Sequence, residues 1–199
     1  MEHYFIEKEH KDSDFFEFTW QFLNHNFTFK SCDDVFSKDC VDYGTYVLLK
    51  TISKKISLKG NVLDIGCGYG VIGIVLSKLF TDIKITQSDV NPTALMLTRQ
   101  NIKINDTRNI VNVVNSNAYE NIDNSFDFIV SNPPIKAGKK VLLDILIGAY
   151  EKLNESGSLI FVIKKKFGED SIKKKLSEIF SSIEVIERDS GYYVLLAKK

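Results

Sequence analysis

Two stretches of this chain have residue types and spacing that can do chemistry, Asp64-Ile-Gly-Cys-Gly-Tyr-Gly70 and Ser131-Asn-Pro-Pro-Ile135. In the first, glycines let the main chain take positive φ and approach a ligand with no Cβ in the way. A helix starting just after them offers unpaired N–H groups and a positive dipole end, which suits a carboxylate or a pyrophosphate. Gly68, Gly70 and Gly73 also match a dinucleotide-binding turn, and Asp89 lies about where a ribose-binding acid belongs. On these residues alone a dehydrogenase is nearly as good a reading. The second stretch sets a carboxamide, Asn132, beside two prolines that stiffen the loop and keep its carbonyls out of competing turns.

Asp64 tilts the choice. An acid two residues before the first glycine can meet an ammonium, and it repels a pyrophosphate. S-adenosylmethionine carries a ribose, an ammonium and a carboxylate but no phosphate. The expected donor site is then Asp64, the turn Gly66, Cys67, Gly68 and Gly70, and Asp89 with Val90, where Asp89 accepts from both ribose hydroxyls. Asn117 and Ala118 would edge the adenine, the Asn117 oxygen accepting from its amino group. The competing readings are an ordinary turn acid at Asp89 and a plain turn residue at Asn117. Opposite such a donor, Asn132 makes sense. An exocyclic amine is a poor nucleophile because its lone pair is delocalised. If the Asn132 side-chain oxygen and the Pro133 carbonyl accept its two N–H bonds, the nitrogen is drawn pyramidal and its lone pair points at the sulfonium methyl. That is catalysis by alignment and electrostatics, with no strong base. Taken alone, the loop reads better as a proline-ended strand with an Asn turn; the glycine turn upstream reverses that preference.

These groups need a frame. Short β-type runs at 61–65, 83–89, 110–115, 126–131, 158–164, 183–188 and 192–197 alternate with helical apolar spacing at 71–80, 92–105, 140–153 and 171–180. Another helix, over 43–56, precedes them. Asn91-Pro92 is a helix start, and Gly157 reads as the stop of the helix before it. The alternation predicts an α/β fold, a seven-stranded, mostly parallel sheet with helices on both faces. Arg188-Asp-Ser-Gly-Tyr192 leaves no room for a crossover helix, so the last two strands form an antiparallel hairpin. That ending favours a Rossmann-like class I methyltransferase over a dehydrogenase.

At 199 residues and 44% hydrophobic content the chain can build one domain with a real core. Residues 1–40 form an aromatic-rich extension, including Tyr4, Phe5, Phe15, Phe16, Phe18, Trp20 and Phe22, in which Phe27-Thr-Phe29 and Val35-Phe36 alternate like short strands; 41–199 form the core. Net charge is zero, but residues 1–45 hold ten Asp or Glu against four Lys, which leaves the remainder at about +6. Cys32, Cys40 and Cys67 show no CxxC spacing, so neither a disulfide framework nor a metal site is expected. The N-terminus does not read as a secretory signal, and no apolar run reaches the length of a membrane span, so the expected compartment is cytoplasmic.

The chain resembles the class I S-adenosylmethionine-dependent methyltransferases. Within them it is similar to the small ribosomal RNA guanine-N2 methyltransferase-like family, in its form with a single catalytic domain. The matching stretches are His3-Tyr-Phe5, Val35-Phe-Ser-Lys38 with Asp42-Tyr-Gly-Thr45, Val62–Gly70, Ser88–Asn91, Asn132–Lys139, Val162–Lys165 and Gly191–Val194. The resemblance implies that Asp64, Gly66, Gly68, Gly70 and Asp89 bind the donor, that Asn132 positions the amine, and that Thr45 and Lys38 lie near the site. Two residues depart from the pattern. Ile135 stands where many amino-methylating relatives have a base-stacking aromatic, so Phe36 or Tyr119 must stack instead. Asn117 replaces a common acid.

The expected activity is methylation of an exocyclic amine, guanine N2 of ribosomal RNA, with product S-adenosylhomocysteine. The base would enter beside Pro134 and Ile135, flipped or already unpaired. Lys136, Lys139, Lys140 and Lys164–Lys166 would meet phosphates. The partner would be ribosomal RNA or an assembling subunit, and a monomer is favoured. Alternatives are an adenine N6 or protein glutamine amide methyltransferase, and an idle RNA-binding assembly factor.

Overall fold

The computed structural model describes residues 14–165 and 169–199. A hairpin of β1 (Phe15–Phe22) and β2 (His25–Cys32) precedes α1 (Tyr43–Lys55). Then come β3 (Gly60–Ile65), α2 (Val71–Leu79), β4 (Ile83–Asp89), α3 (Pro92–Ile104), β5 (Ile110–Asn115) and β6 (Phe126–Ser131). The chain ends with α4 (Lys139–Lys152), β7 (Leu153–Lys164), α5 (Glu169–Leu176), β8 (Ser182–Asp189) and β9 (Tyr192–Lys198). Seven strands make one sheet in the order β5-β4-β3-β6-β7-β9-β8. The first five run parallel, and β9 lies antiparallel to both β7 and β8, as the sequence predicts.

Period-two alternation feeds both faces of this sheet. Val62, Val130, Ile160 and Val162 join the core under α1, α2 and α3, while Leu63, Ile129, Leu159, Phe161 and Ile163 face α4 and α5. Burying each such side chain contributes on the order of 1.5–3 kcal/mol.

The aromatic N-terminus supplies a two-stranded sheet, with Phe15 opposite Cys32 and Phe22 opposite His25. It docks on α3 through carboxamides. Asn105 bonds both the N–H and C=O of Thr28, and Asn101 bonds those of Lys30. Two asparagines four residues apart lie on one helix face, so α3 takes the place of a neighbouring strand.

Two local expectations need correction. Val35-Phe36 lies in a turn, because β2 ends at Cys32 and the chain bends from Asp33 onward. Gly157 is not the helix stop. Lysine 152 ends α4, Leu153 already pairs with Phe126, and Gly157 sits inside β7 at a register shift. A Cβ there would lie 2.8 Å from the Asn154 carbonyl. The strand β1 is an addition that the run of aromatics did not announce. Tyr4, Phe5 and the His3-Tyr-Phe5 match lie outside the described residues, as does Lys166.

Strand β3 has β4 on one side and β6 on the other, so the chain order reverses across it. The crevice at the carboxyl ends of strands where order reverses is where ligands bind in such sheets. The glycine turn follows β3 and the Asn-Pro-Pro loop follows β6. Asp64 is in register with Val130, and the Ser131 hydroxyl donates to the Ile65 carbonyl at 2.9 Å.

Candidate active site

The glycine turn is pinned to β4, where the Ser88 carbonyl accepts from both Gly66 N–H (2.8 Å) and Cys67 N–H (2.9 Å). Gly66, Gly68 and Gly70 all have positive φ, and a Cβ at Gly68 would meet nothing within 4 Å, so open space adjoins the turn. Asp64 is wholly buried. Its Oδ2 accepts from Gly73 N–H (2.9 Å) and from Gln87 Nε2 (2.8 Å), while Oδ1 has no partner among the described residues. Gly73 is needed for this, because a Cβ there would sit 2.5 Å from the Gln87 amide. Burial pushes the Asp64 carboxyl up to about 7, opposed by the Gln87 and Gly73 hydrogen bonds. Asp64 thus ties β3 to the start of α2. Cys67 is buried, and its thiol is pushed well up, so it is an inert wall of the turn.

Asp89 ends β4 across the turn. Oδ2 accepts from Gly68 N–H (2.9 Å) and Oδ1 from Asn91 N–H (2.9 Å). Burial raises its carboxyl, and these main-chain bonds oppose the rise. Each oxygen keeps lone-pair capacity for a hydroxyl. Val90 beside it is exposed. The Ser116 N–H donates to the Asp89 carbonyl, which brings the β5 end alongside, and there Ala118 takes positive φ and Asn117 donates to Glu120. Open space at Gly68, two acceptors on Asp89 and no phosphate-compatible cation in the turn fit S-adenosylmethionine.

Asn132 is held by its nitrogen. Nδ2 donates to Asp42 Oδ2 (3.0 Å) and to Thr45 Oγ1 (2.9 Å), using both amide hydrogens inside the protein. A carboxylate only accepts, so the nitrogen must face Asp42 and the side-chain oxygen must face away. Asp42 is itself placed by α1, whose N-terminus it caps by accepting from Gly44 and Thr45 N–H. Pro133 is buried, and its carbonyl accepts no hydrogen bond among the described residues. A Cβ at Gly66 would lie 3.8 Å from Pro134, so the two motifs share one crevice.

Comparison with known proteins places the chain in a family. The methyltransferase small domain model matches residues 26–196. The chain belongs to that family. It is a class I, S-adenosylmethionine-dependent methyltransferase by family and by fold. It is 40% identical over its full length to the uncharacterized protein YbxB of Bacillus subtilis, covering 98% of that protein. It is 38% identical to ribosomal RNA small subunit methyltransferase C of Actinobacillus pleuropneumoniae, over 82% of this chain and 50% of that one. The chain therefore spans about half the length of the small subunit methyltransferases it matches. Among solved structures, a T. thermophilus 16S rRNA N2 methyltransferase in complex with AdoMet and guanosine superposes with TM-score 0.82 at 22% identity, over 93% of this chain and 50% of that one. The ribosomal protein L11 methylase of Lactobacillus delbrueckii superposes at 0.68 and 23% identity, covering 83% and 80%. A shared fold thus does not name the acceptor.

In this methyltransferase the remaining predicted residues fall in three places. Pro134, Ile135, Lys139 and Lys140 line the rim after β6; Pro134 and both lysines are exposed, and the Lys136 side chain lies outside what is described. Lys164, at the end of β7, stands 4.8 Å from the Tyr192 ring centroid. The Tyr192 hydroxyl and, less strongly, the charge of Asp42 hold its ammonium above the ordinary lysine range. Lys38 pairs with Asp33 at 2.6 Å in the 33–42 loop, where Phe36 is 64% exposed. Of the two stacking candidates only Phe36 is open. The Tyr119 hydroxyl donates to Ile145, and its ring lies against Gly148, which commits it to holding α4. Three residues have roles that the sequence reading did not assign. Tyr69 donates to the Ser37 carbonyl and clasps the 33–42 loop to the glycine turn, Gln87 holds Asp64, and Asp42 orients Asn132. A helix-capping signal marks Asp42; nothing in the sequence marks its reach to a residue 90 positions away.

Proposed function

We propose that this methyltransferase acts on an exocyclic amine, guanine N2 of ribosomal RNA, in the cytoplasm, on free RNA or an assembling subunit. One observation carries the reading. Asp42 and Thr45 take both Asn132 amide hydrogens, so the Asn132 oxygen is left as an acceptor at the crevice shared with the glycine turn. With the free Pro133 carbonyl it makes the pair of acceptors that an –NH2 group needs. S-adenosylmethionine, when bound, supplies the methyl group. The turn 66–70, Asp89, Val90, Asn117 and Ala118 hold it, and Asp64 fixes the turn from behind through Gly73 and Gln87. Asn132 and Pro133 hold both N–H bonds of the acceptor, which localises the nitrogen lone pair. The nitrogen becomes strongly acidic only after transfer, so its proton leaves to water and no base is needed. Lys139 and Lys140 after β6, and Lys164 at the end of β7, suit phosphates around a base placed here. The small subunit methyltransferase relatives support ribosomal RNA as the acceptor class.

The test is mass-spectrometric mapping of ribosomal RNA from cells with the protein, without it, and complemented with Asn132→Ala. An N2-methylguanine mark present only with the wild-type chain is expected. A lost N6-methyladenine mark, or no changed mark, would overturn the guanine reading.

A further inference from the structure

Asp42 uses only half of its carboxylate. Oδ2 accepts three hydrogen bonds, from Gly44 N–H (2.8 Å), Thr45 N–H (3.2 Å) and Asn132 Nδ2 (3.0 Å). Among the described residues Oδ1 accepts none and no ammonium lies within ion-pairing distance of it, and the side chain is only half-buried. Capping α1 and orienting Asn132 require a single oxygen; Ser or Asn caps as well as Asp does. The spare oxygen is therefore an accessible anionic acceptor directly beside the amide that faces the substrate amine.

We propose that Asp42 is a specificity-determining residue whose free oxygen accepts the N1–H of guanine while Asn132 and Pro133 accept the N2 hydrogens. The inference rests on the guanine-N2 reading and deepens it. The chemistry discriminates sharply among bases. Guanine presents an N–H donor next to its exocyclic amine. Adenine and cytosine present a ring-nitrogen lone pair there, which a carboxylate oxygen repels. Nothing apolar in the crevice makes this distinction, and Ile135, in place of an aromatic, cannot. Reading the base by a charge-assisted hydrogen bond offsets part of the stacking that Ile135 does not provide.

The test compares guanosine with 2-aminopurine riboside, which carries the same C2 amine but a bare N1. Ligand-observed NMR titrations are run with S-adenosylhomocysteine present. The wild-type chain is expected to prefer guanosine by roughly 10- to 100-fold, the scale of one hydrogen bond to a charged group. Asp42→Asn keeps a capping oxygen that also receives the Asn132 amide, and it turns the free acceptor into an NH2 donor, so the preference should invert. Asp42→Ser keeps the cap and removes the free oxygen, its one hydroxyl being held at the cap, so the preference should nearly vanish; it also serves if the Asn variant folds poorly. A guanosine preference unchanged in either folded variant overturns the role of Asp42 and leaves the guanine reading intact. Wild-type protein that binds neither nucleoside, or prefers adenosine to both, overturns the guanine reading together with this one.

Discussion

Replacing Asn132 with Asp would build a carboxylate pair out of an amide–carboxylate contact. Asn132 Nδ2 lies 3.0 Å from Asp42 Oδ2 and 2.9 Å from Thr45 Oγ1. The substitution sets an oxygen where the nitrogen was, facing another carboxylate oxygen. With charge centres about 4 Å apart and an effective dielectric of about 20, the repulsion is about 4 kcal/mol. Like charges that close disfavour double ionisation, so the pair gives up its shared proton only at a pH above the ordinary carboxyl range. Below that point the pair shares a proton, the substituted side chain still turns a carbonyl oxygen to the substrate, and methyl transfer survives. Above it both groups are charged and push apart, and the acceptor is lost. The Thr45 hydroxyl can rotate to donate, which moderates the effect without removing it. The assay is single-turnover methyl transfer at saturating donor, on ribosomal RNA from cells lacking the protein. The rate of Asn132→Asp relative to wild type should fall as pH rises, whereas that of Asn132→Ala should be low and flat. A relative rate for Asn132→Asp that is independent of pH would refute the Asp42–Asn132 geometry.

Two further outcomes follow from the donor side. Without donor, folded Asp64 titrates at about 7 against 3.8 for an ordinary carboxyl, so the folded state binds the proton more tightly and stability is lost as pH rises from about 4 through about 7. Asp64→Asn should reduce the stability lost between about pH 5.5 and about pH 8 by a few kcal/mol at most, read from urea midpoints at the two pH values; an unchanged loss would assign the pH dependence elsewhere. Asp89→Ala, which also frees the Gly68 N–H, should weaken S-adenosylmethionine binding by on the order of 1–3 kcal/mol in calorimetry. Unaltered affinity would remove Asp89 from the donor site.

Much of this molecule can be read from its residues. Val/Ile-rich runs such as Val62-Leu63 and Ile129-Val130 mark strands buried on both faces, because alternate side chains serve separate cores. The tight Arg188–Tyr192 turn leaves only antiparallel pairing for β8 and β9. The glycine turn and the Asn-Pro-Pro loop announce themselves because their chemistry depends on main-chain geometry, which glycine and proline control locally. The misreadings have equally local causes. Gly157 looks like a helix stop because glycine ends helices and also admits strand irregularities. Val35-Phe36 looks like a strand because two apolar residues carry no period.

Tertiary structure decided what distant residues do together. The sequence by itself determined the order of strands and helices, the donor turn, and the carboxamide at 132, since each depends on neighbours within a few positions. It did not determine which way that carboxamide points. That follows from Asp42 and Thr45, 90 and 87 positions earlier, meeting Asn132 only once α1 packs beside the β6 end. Nor did it show that Tyr119 is spent on α4 while Tyr69 clasps the 33–42 loop. Hydrogen bonds are directional and short, so a side chain's partner is chosen by packing that brings two groups within about 3 Å, and residue type alone carries no record of that choice.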